Sequence, residues 1–265
     1  KIAIVTGGAS GIGRAVSQAL ARAGATVVLA AIDGALLDET VRGIGDRAAA
    51  AVLDVRDAAA VRRLVDDTAA RHGRLDYMFN NAGIAINGDL LDMELDDWNR
   101  IIDVNVRGVV HGVAAAYPLM VRQGGGHLVN TASIAGLIPT PGMTAYSMTK
   151  HAVVGLSRGL RVEARHYGVK VSAVCPGFVD TPIKENSKAL NLDRAGLLAE
   201  MPFKFYDVDA CARDLLQGVA KNRGEIVITP HAKVASRAQR WLPGLVDRMA
   251  AKQMGKLRAH KLPGG

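Results

Sequence analysis

Tyr146 and Lys150 stand four residues apart in TAYSMTKHAVVGL, residues 144–156, where an apolar stretch with helical spacing begins. That interval sets a phenol and an ammonium on one helix face, a turn apart. Together they could hold and move a proton. The same interval describes a tyrosine packed in a core with a lysine at its rim, and spacing alone leaves both readings open. Ser133 ends a predicted strand and would bring a hydroxyl to the same crevice.

A second group with chemical potential lies near the start of the chain. In TGGASGIGRA, Gly7, Gly11 and Gly13 follow a predicted strand and lead into a helix expected to begin near Ile12. Glycine permits the tight turn and a close backbone approach to a pyrophosphate. The helix N-terminus then offers free N–H groups and a favourable dipole to the anion. The order G-x-x-x-G-x-G departs from the commoner G-x-G-x-x-G. A glycine turn without ligand is the alternative, and the strand before and helix after weigh against it.

Elements must carry these groups to one place. Short runs rich in Val, Ile and Leu occur at 2–6, 26–31, 49–54, 75–80, 127–133, 169–175 and 225–229, with helix-period stretches between them. Continuous apolar runs joined by helices predict a parallel sheet covered on both faces. The expected fold is α/β: a Rossmann-type, doubly wound, parallel seven-stranded sheet in a single domain, with a helical C-terminal extension. Such a sheet binds ligands at the carboxyl ends of its strands. Residues 1–230 are assigned to the catalytic domain and 231–265 to a basic amphipathic extension.

The 265 residues are 49% hydrophobic and carry no apolar run long enough for a spanning helix. The net charge is +8. From His231 onward, eight lysines and arginines face Asp247 alone, so +7 of that charge belongs to the tail and about +1 to the body. A nearly neutral body argues against a nucleic-acid binder. The chain opens directly on a predicted core strand, so no secretory or transit segment is expected. With only Cys175 and Cys211, a reducing, cytoplasmic setting is expected. The seven histidines show no ligand spacing with each other or with the cysteines, and no metal is expected.

TGGASGIG, NNAG at 80–83, Asn105, Ser133, YSMTK at 146–150 and PG at 176–177 together resemble the short-chain dehydrogenase/reductase family, in its order and spacing, over roughly residues 2–229. The resemblance implies a division of labour. Tyr146 is the general acid/base, its phenol lowered from a value near 10 by the Lys150 ammonium and by the positive ring of an oxidised cofactor. Ser133 donates to the substrate oxygen. Lys150 also bonds the nicotinamide ribose. Asn105, on a long helix, positions a water that links Lys150 to solvent, and it can kink that helix as well.

For the cofactor, the resemblance implies that Gly7, Ser10, Gly11, Ile12 and Gly13 form the pyrophosphate loop. Asp54 and Val55 flank the adenine, and Asn81, Ala82 and Gly83 pass close to the adenine ribose. Pro176, Gly177, Val179 and Thr181 serve the nicotinamide. The second strand departs from the family pattern. Ala31 occupies the slot where NAD-preferring members carry an aspartate, and Asp33 follows two residues on, where it could instead cap a helix. The arginine of NADP-preferring relatives is missing too, with Ser10 in one of its usual places. The expectation is NAD(H) or NADP(H), leaning to NAD through Asp33.

Ile134, Leu137, Ile138, Pro139, Met143, Phe178 and Ile183 would give the substrate crevice an apolar wall, suited to a small apolar alcohol or ketone. A lid is expected within 184–206, using Leu190, Leu192, Leu197, Leu198 and Met201. A homodimer or homotetramer is expected, the dimer built on the helices around Asn105 and Lys150. Trp241, Leu242, Leu245, Val246, Met249 and Leu257 recur at helical spacing among basic residues, predicting a helix packed on the body or a partner, or resting on an anionic membrane surface. Two competing functions are a dinucleotide sensor without turnover, which would be expected to lack the tyrosine or the lysine, and a binding module driven by the tail.

Overall fold

The computed structural model describes residues 1–193, 196 and 204–261. Among the described residues nine strands form: β1 (Ile2–Thr6), β2 (Thr26–Ala31), β3 (Ala48–Val52), β4 (Tyr77–Asn80), β5 (Ile86–Asn87), β6 (Gly126–Thr131), β7 (Val169–Pro176), β8 (Lys188–Ala189) and β9 (Glu225–Ile228). Seven of them make one parallel sheet in the order β3-β2-β1-β4-β6-β7-β9, and β5 pairs with β8 separately. The order reverses between β1 and β4. Crossovers leave to opposite faces there and open a crevice at the strand ends, where such folds bind ligands.

The helices are α1 (Gly11–Arg22), α2 (Gly34–Ile44), α3 (Ala58–His72), α4 (Leu95–Ile102), α5 (Gly108–Arg122), α6 (Thr144–Ala164), α7 (Ile183–Asn186), α8 (Val208–Ala220), α9 (Pro230–Trp241) and α10 (Pro243–Ala259). Alternation along the strands divides the core into two layers. On one face Ile4, Met78, Leu128 and Val171 pack with Val61, Val65, Val113, Met120 and Val153 of α3, α5 and α6. On the other, Ala3, Val5, Phe79, Val129 and Val174 pack with Val16, Leu20, Leu37, Cys211 and Leu215 of α1, α2 and α8. Each fully buried Val, Leu or Ile contributes roughly 1.5–3 kcal/mol relative to exposure. Burial on both faces explains why the strands read as unbroken apolar runs.

Local chemistry ends the helices. Asp33, Asp57 and Asp207 cap α2, α3 and α8 through side-chain oxygens, and Thr229 caps α9 ahead of Pro230. Several boundaries differ from expectation. The run expected at 49–54 stops as a strand at Val52, and the run expected at 127–133 stops at Thr131. The helix after the glycine loop starts at Gly11. The long helix around Asn105 is not continuous, because a π-helical turn, Asp103–Arg107, separates α4 from α5. There the Gly108 N–H bonds to the Asp103 carbonyl, a five-residue step.

Among the described residues, no helix is long and apolar enough to cross a membrane. Cys175 and Cys211 are buried, unpaired thiols, each pushed up to about 12 chiefly by burial. Leu197, Leu198 and Met201 of the expected lid lie outside the described residues.

Candidate active site

The glycine loop follows β1 at the switch point. Gly7 and Gly11 have φ of 64° and 49°, a region that favours glycine. A Cβ on Gly13 would stand 2.1 Å from the Gly7 carbonyl oxygen, so the α1 backbone can pack this closely only as glycine. Ser10 makes no side-chain cap bond, which leaves its hydroxyl and the first-turn N–H groups of α1 for a ligand. Thr181 closes the loop from across the crevice, its Cβ 3.2 Å from where a Gly11 Cβ would be. An uncapped helix start behind a backbone cradle fits a pyrophosphate.

Polar side chains tie the strand ends together. Thr6 Oγ1 accepts from the N–H groups of Asn81 (2.9 Å) and Ala82 (3.1 Å), while Asn81 Nδ2 donates to the Thr6 carbonyl. Thr131 Oγ1 donates to Asn81 Oδ1 at 3.2 Å, so Asn81 links β1, β4 and β6. One strand position away, Asn80 donates to Asn130, which donates to Ser157 of α6. Sequence reasoning gave Asn81 a place at the ribose but missed Thr6, Thr131, Asn130 and Ser157.

Tyr146 and Lys150 lie on α6 as expected, with the Lys150 Nζ 5.5 Å from the centroid of the Tyr146 ring. Lys150 is buried, and its ammonium donates to the Thr131 carbonyl at 2.9 Å. Desolvation lowers its pKa to about 8. Ser133 caps a single 3-10 turn, Ile134–Gly136, by accepting from the Ala135 N–H at 3.2 Å. Burial raises the Tyr146 pKa above the usual phenol value, and the nearby Ser133 hydroxyl pulls the other way. The protein's own groups therefore do not produce the expected lowering. Lys150 is itself desolvated and spends a hydrogen bond on Thr131.

Asn105 sits on the π-helical turn, fully buried. Its Oδ1 accepts from the Ile84 N–H and its Nδ2 donates to the Ile84 carbonyl and to Thr149 Oγ1. A Cβ on Gly83 would come within 3.2 Å of Asn105 Oδ1 and 3.4 Å of the Lys150 Nζ, so the chain passes closely between the two side chains. Around Tyr146 the packing is apolar, with Ile84, Ile86, Trp98, Ile101 and Leu190.

The remaining sites divide between the two ends of the crevice. At the adenosine end, Ala31 closes β2, the next residue Ile32 is 74% exposed, and the Asp33 carboxylate accepts from the Leu36 N–H at 3.0 Å. The Asp54 carboxylate is held by the Arg56 guanidinium, which keeps it below the usual range, and Val55 is buried against Gly108. At the other end, Pro176 closes β7, Gly177 lies against Thr229 and His231, and the Val179 backbone bridges to Tyr206. Ile12 is half-buried on the first turn of α1.

Of the residues expected in the apolar wall, Leu137 lines a cleft of about 990 Å³ with Arg158, Arg223, Lys233, Arg237 and Arg240. Phe178 packs on Phe205 and His231, and Ile183 is 38% exposed. Among the described residues, no group of three or more His, Cys, Asp and Glu converges as metal ligands would.

A doubly wound parallel sheet with a glycine-rich first turn at its switch point, and a tyrosine and lysine on the helix beside it, defines a dinucleotide-binding oxidoreductase fold. The chain belongs to the short-chain dehydrogenase family, whose model matches residues 1–191. It is 35% identical to a putative oxidoreductase, SadH, of Mycobacterium tuberculosis, over 97% of this chain and 96% of the other. A short-chain dehydrogenase/reductase from Burkholderia phymatum solved with NAD superposes with a TM-score of 0.84 at 32% identity, covering 92% of this chain and 94% of that one. A 3-ketoacyl-(acyl-carrier-protein) reductase from Brucella melitensis complexed with NADH gives 0.77 at 26%, covering 86% and 94%.

Proposed function

We propose that this enzyme interconverts a secondary alcohol and a ketone using NAD(H) or NADP(H), with Tyr146 as general acid and base. The observation that carries the reading is the convergence of Ser133, Tyr146 and Lys150, with Asn105 behind them, at the sheet crevice.

When bound, the nicotinamide supplies or accepts the hydride. The chain's residues do the rest. Gly7, Ser10, Gly11, Ile12 and Gly13 cradle the pyrophosphate. Asp33, Asp54, Val55, Asn81, Ala82 and Gly83 line the adenosine side, and Pro176, Gly177, Val179 and Thr181 the nicotinamide side. Ser133 donates to the substrate oxygen and holds it at the phenol. In the reducing direction Tyr146 gives that oxygen its proton, and the raised pKa keeps the phenol protonated at neutral pH. In the oxidising direction Tyr146 must accept the proton, which requires positive charge beside it. Lys150, with a pKa near 8, remains mostly charged at neutral pH and supplies part of that charge. Asn105 holds the Gly83–Ile84 backbone in place against Lys150.

NAD is favoured over NADP by the lack of an arginine near Ala31, and the NAD and NADH in the two related structures support that lean. The apolar surround of Tyr146 suits a small apolar alcohol or ketone. Exposed Val110 and Met148 on α5 and α6 support a homodimer through those helices, alone or within a homotetramer. Residues 231–265 act as a distinct extension. We infer a cytoplasmic location from the scarcity of cysteine, with peripheral membrane contact through that extension as a second reading, favoured by the exposure of Trp241, Leu242, Leu245 and Met249.

Titration with NADH and with NADPH, followed by a screen of alcohols and ketones, tests the reading. Saturable binding of at least one cofactor and turnover of a secondary alcohol or ketone are expected. Binding of neither cofactor contradicts it.

A further inference from the structure

The end of α10 lies on the loops that flank Tyr146. A Cβ on Gly142 would be 2.4 Å from Leu257 Cδ1, and Gly142 has a φ of 69°, so glycine provides both the turn and the seat for the leucine. The Arg258 Nε donates to Asp89 Oδ2 at 2.7 Å, and the Lys261 Nζ lies 2.7 Å from Asp92 Oδ2. The Asp193 N–H donates to the His260 carbonyl at 3.0 Å, and Leu192 and Lys261 form an antiparallel bridge.

These contacts reach three separate segments. Asp89 and Asp92 follow β5, Gly142 precedes Tyr146 by four residues, and Leu192 and Asp193 follow β8. The three segments also bond one another, Gly88 N–H to the Gly142 carbonyl and Leu190 N–H to the Asn87 carbonyl. Ile86 and Leu190, from the first and third, pack in the apolar cluster that includes Tyr146.

We propose that residues 257–261 are a clamp that fixes the width of the substrate crevice and sets the longest chain it accepts, which makes the C-terminal extension a specificity determinant. The Asp89 side chain is 5% exposed and the Asp92 side chain 9%. Carboxylates that buried need their partners, since a lone buried charge is costly, whereas an ordinary surface pair would hold little. A clamp anchored to all three walls keeps them from spreading to admit a longer ligand.

The inference rests on the alcohol/ketone reading, and its test is separable from it. The complex of the oxidised cofactor with a ketone cannot turn over, because both partners are oxidised. Dissociation constants are measured by calorimetry for straight-chain methyl ketones, from butanone to dodecanone, with the full chain saturated by oxidised cofactor. Leu257→Ala and the double variant Arg258→Ala/Lys261→Ala are compared with the unchanged protein, and Arg258→Lys serves as the rescue. Hydrogen exchange at the Asp193 N–H reports release of the clamp.

The expected result is a length cut-off in the unchanged protein that moves to longer ketones in the variants. The longest ketones should gain at least about tenfold in affinity while butanone stays within about twofold, and Arg258→Lys should restore the cut-off. An unchanged length profile despite release of the clamp overturns the proposal. So does a uniform change across all lengths, weaker binding of the long ketones, or no binding of any ketone by any of the proteins. Failure of Tyr146 as the acid/base would show in turnover and leave this comparison intact.

Discussion

The side-chain amide of Asn105 bonds both backbone groups of Ile84, accepting from its N–H and donating to its carbonyl, each at 2.9 Å. The residue before Ile84 is Gly83, which passes between Asn105 and Lys150. One buried side chain thereby fixes the strand-end loop against Lys150. Asn105→Ala leaves the N–H and the carbonyl of Ile84 without that partner, at a cost of about 1–3 kcal/mol per unsatisfied buried group. The expected outcome is a lower melting temperature together with a loss of turnover, and Asn105→Asp should not rescue it, because a carboxylate cannot donate to the Ile84 carbonyl. Thermal melts alongside initial rates check both.

The end of β2 should decide the cofactor. Ala31 is the last strand residue and Asp33 is already engaged with the Leu36 N–H. Ala31→Asp places a carboxylate to which a ribose 2′-hydroxyl can donate and which repels a 2′-phosphate. NADPH affinity is expected to fall by about tenfold or more, with NADH affinity held or improved. Equal effects on the two cofactors would put the ribose elsewhere.

His127 gives the fold an acid-sensitive element. It is buried on β6 with its Nε2 at 2.8 Å from Ser172 Oγ, and burial lowers its pKa to about 4. The unfolded imidazole titrates near 6.5. Between these values the unfolded chain binds a proton that the native chain refuses, so stability falls as the pH drops from about 6.5 to about 4, by up to about 3 kcal/mol. His127→Gln removes this contribution. Urea midpoints at both ends of the window should converge in the variant relative to the unchanged protein.

The exposed apolar side chains of Trp241, Leu242, Leu245 and Met249 lie among Arg237, Arg240, Arg248 and Lys252. If this face rests on a membrane, the protein should co-sediment with vesicles containing anionic lipid, less so at high salt, and Trp241→Ser/Met249→Ser should weaken the association. Equal sedimentation of both proteins would instead assign the face to a partner subunit.

The parts legible in the sequence share a physical reason. β1 and β2 were readable at their observed ends because both faces of a central parallel strand are buried. The proximity of Tyr146 and Lys150 was readable because a helix converts a four-residue interval into proximity, whereas their joint role was readable only from the motifs around them. What the sequence hid depends on distant pairing. Thr6 meets Asn81 from 75 positions away, and Arg258 meets Asp89 from 169. No local period announces either contact. The β5–β8 pair is two residues long on each side, too short to show alternation. The basic tail was expected to pack on the body or a partner, or to rest on a membrane, and charge pattern alone does not reveal that two of its cations face nearly buried carboxylates. The phenol pKa was expected to fall through Lys150 together with the positive ring of an oxidised cofactor. The opposing burial of both groups is a property of the packed site.

The central claim is that the Tyr146 hydroxyl moves the substrate proton. Its most direct test is Tyr146→Phe, compared with the unchanged protein in single-turnover reduction of the best ketone and in NADH binding. The expected result is a loss of about 100- to 10,000-fold in the rate of the chemical step, with NADH affinity and melting temperature nearly unchanged. A phenylalanine variant that still reduces the ketone within a few fold of the unchanged rate would contradict it and move the acid/base role to another group.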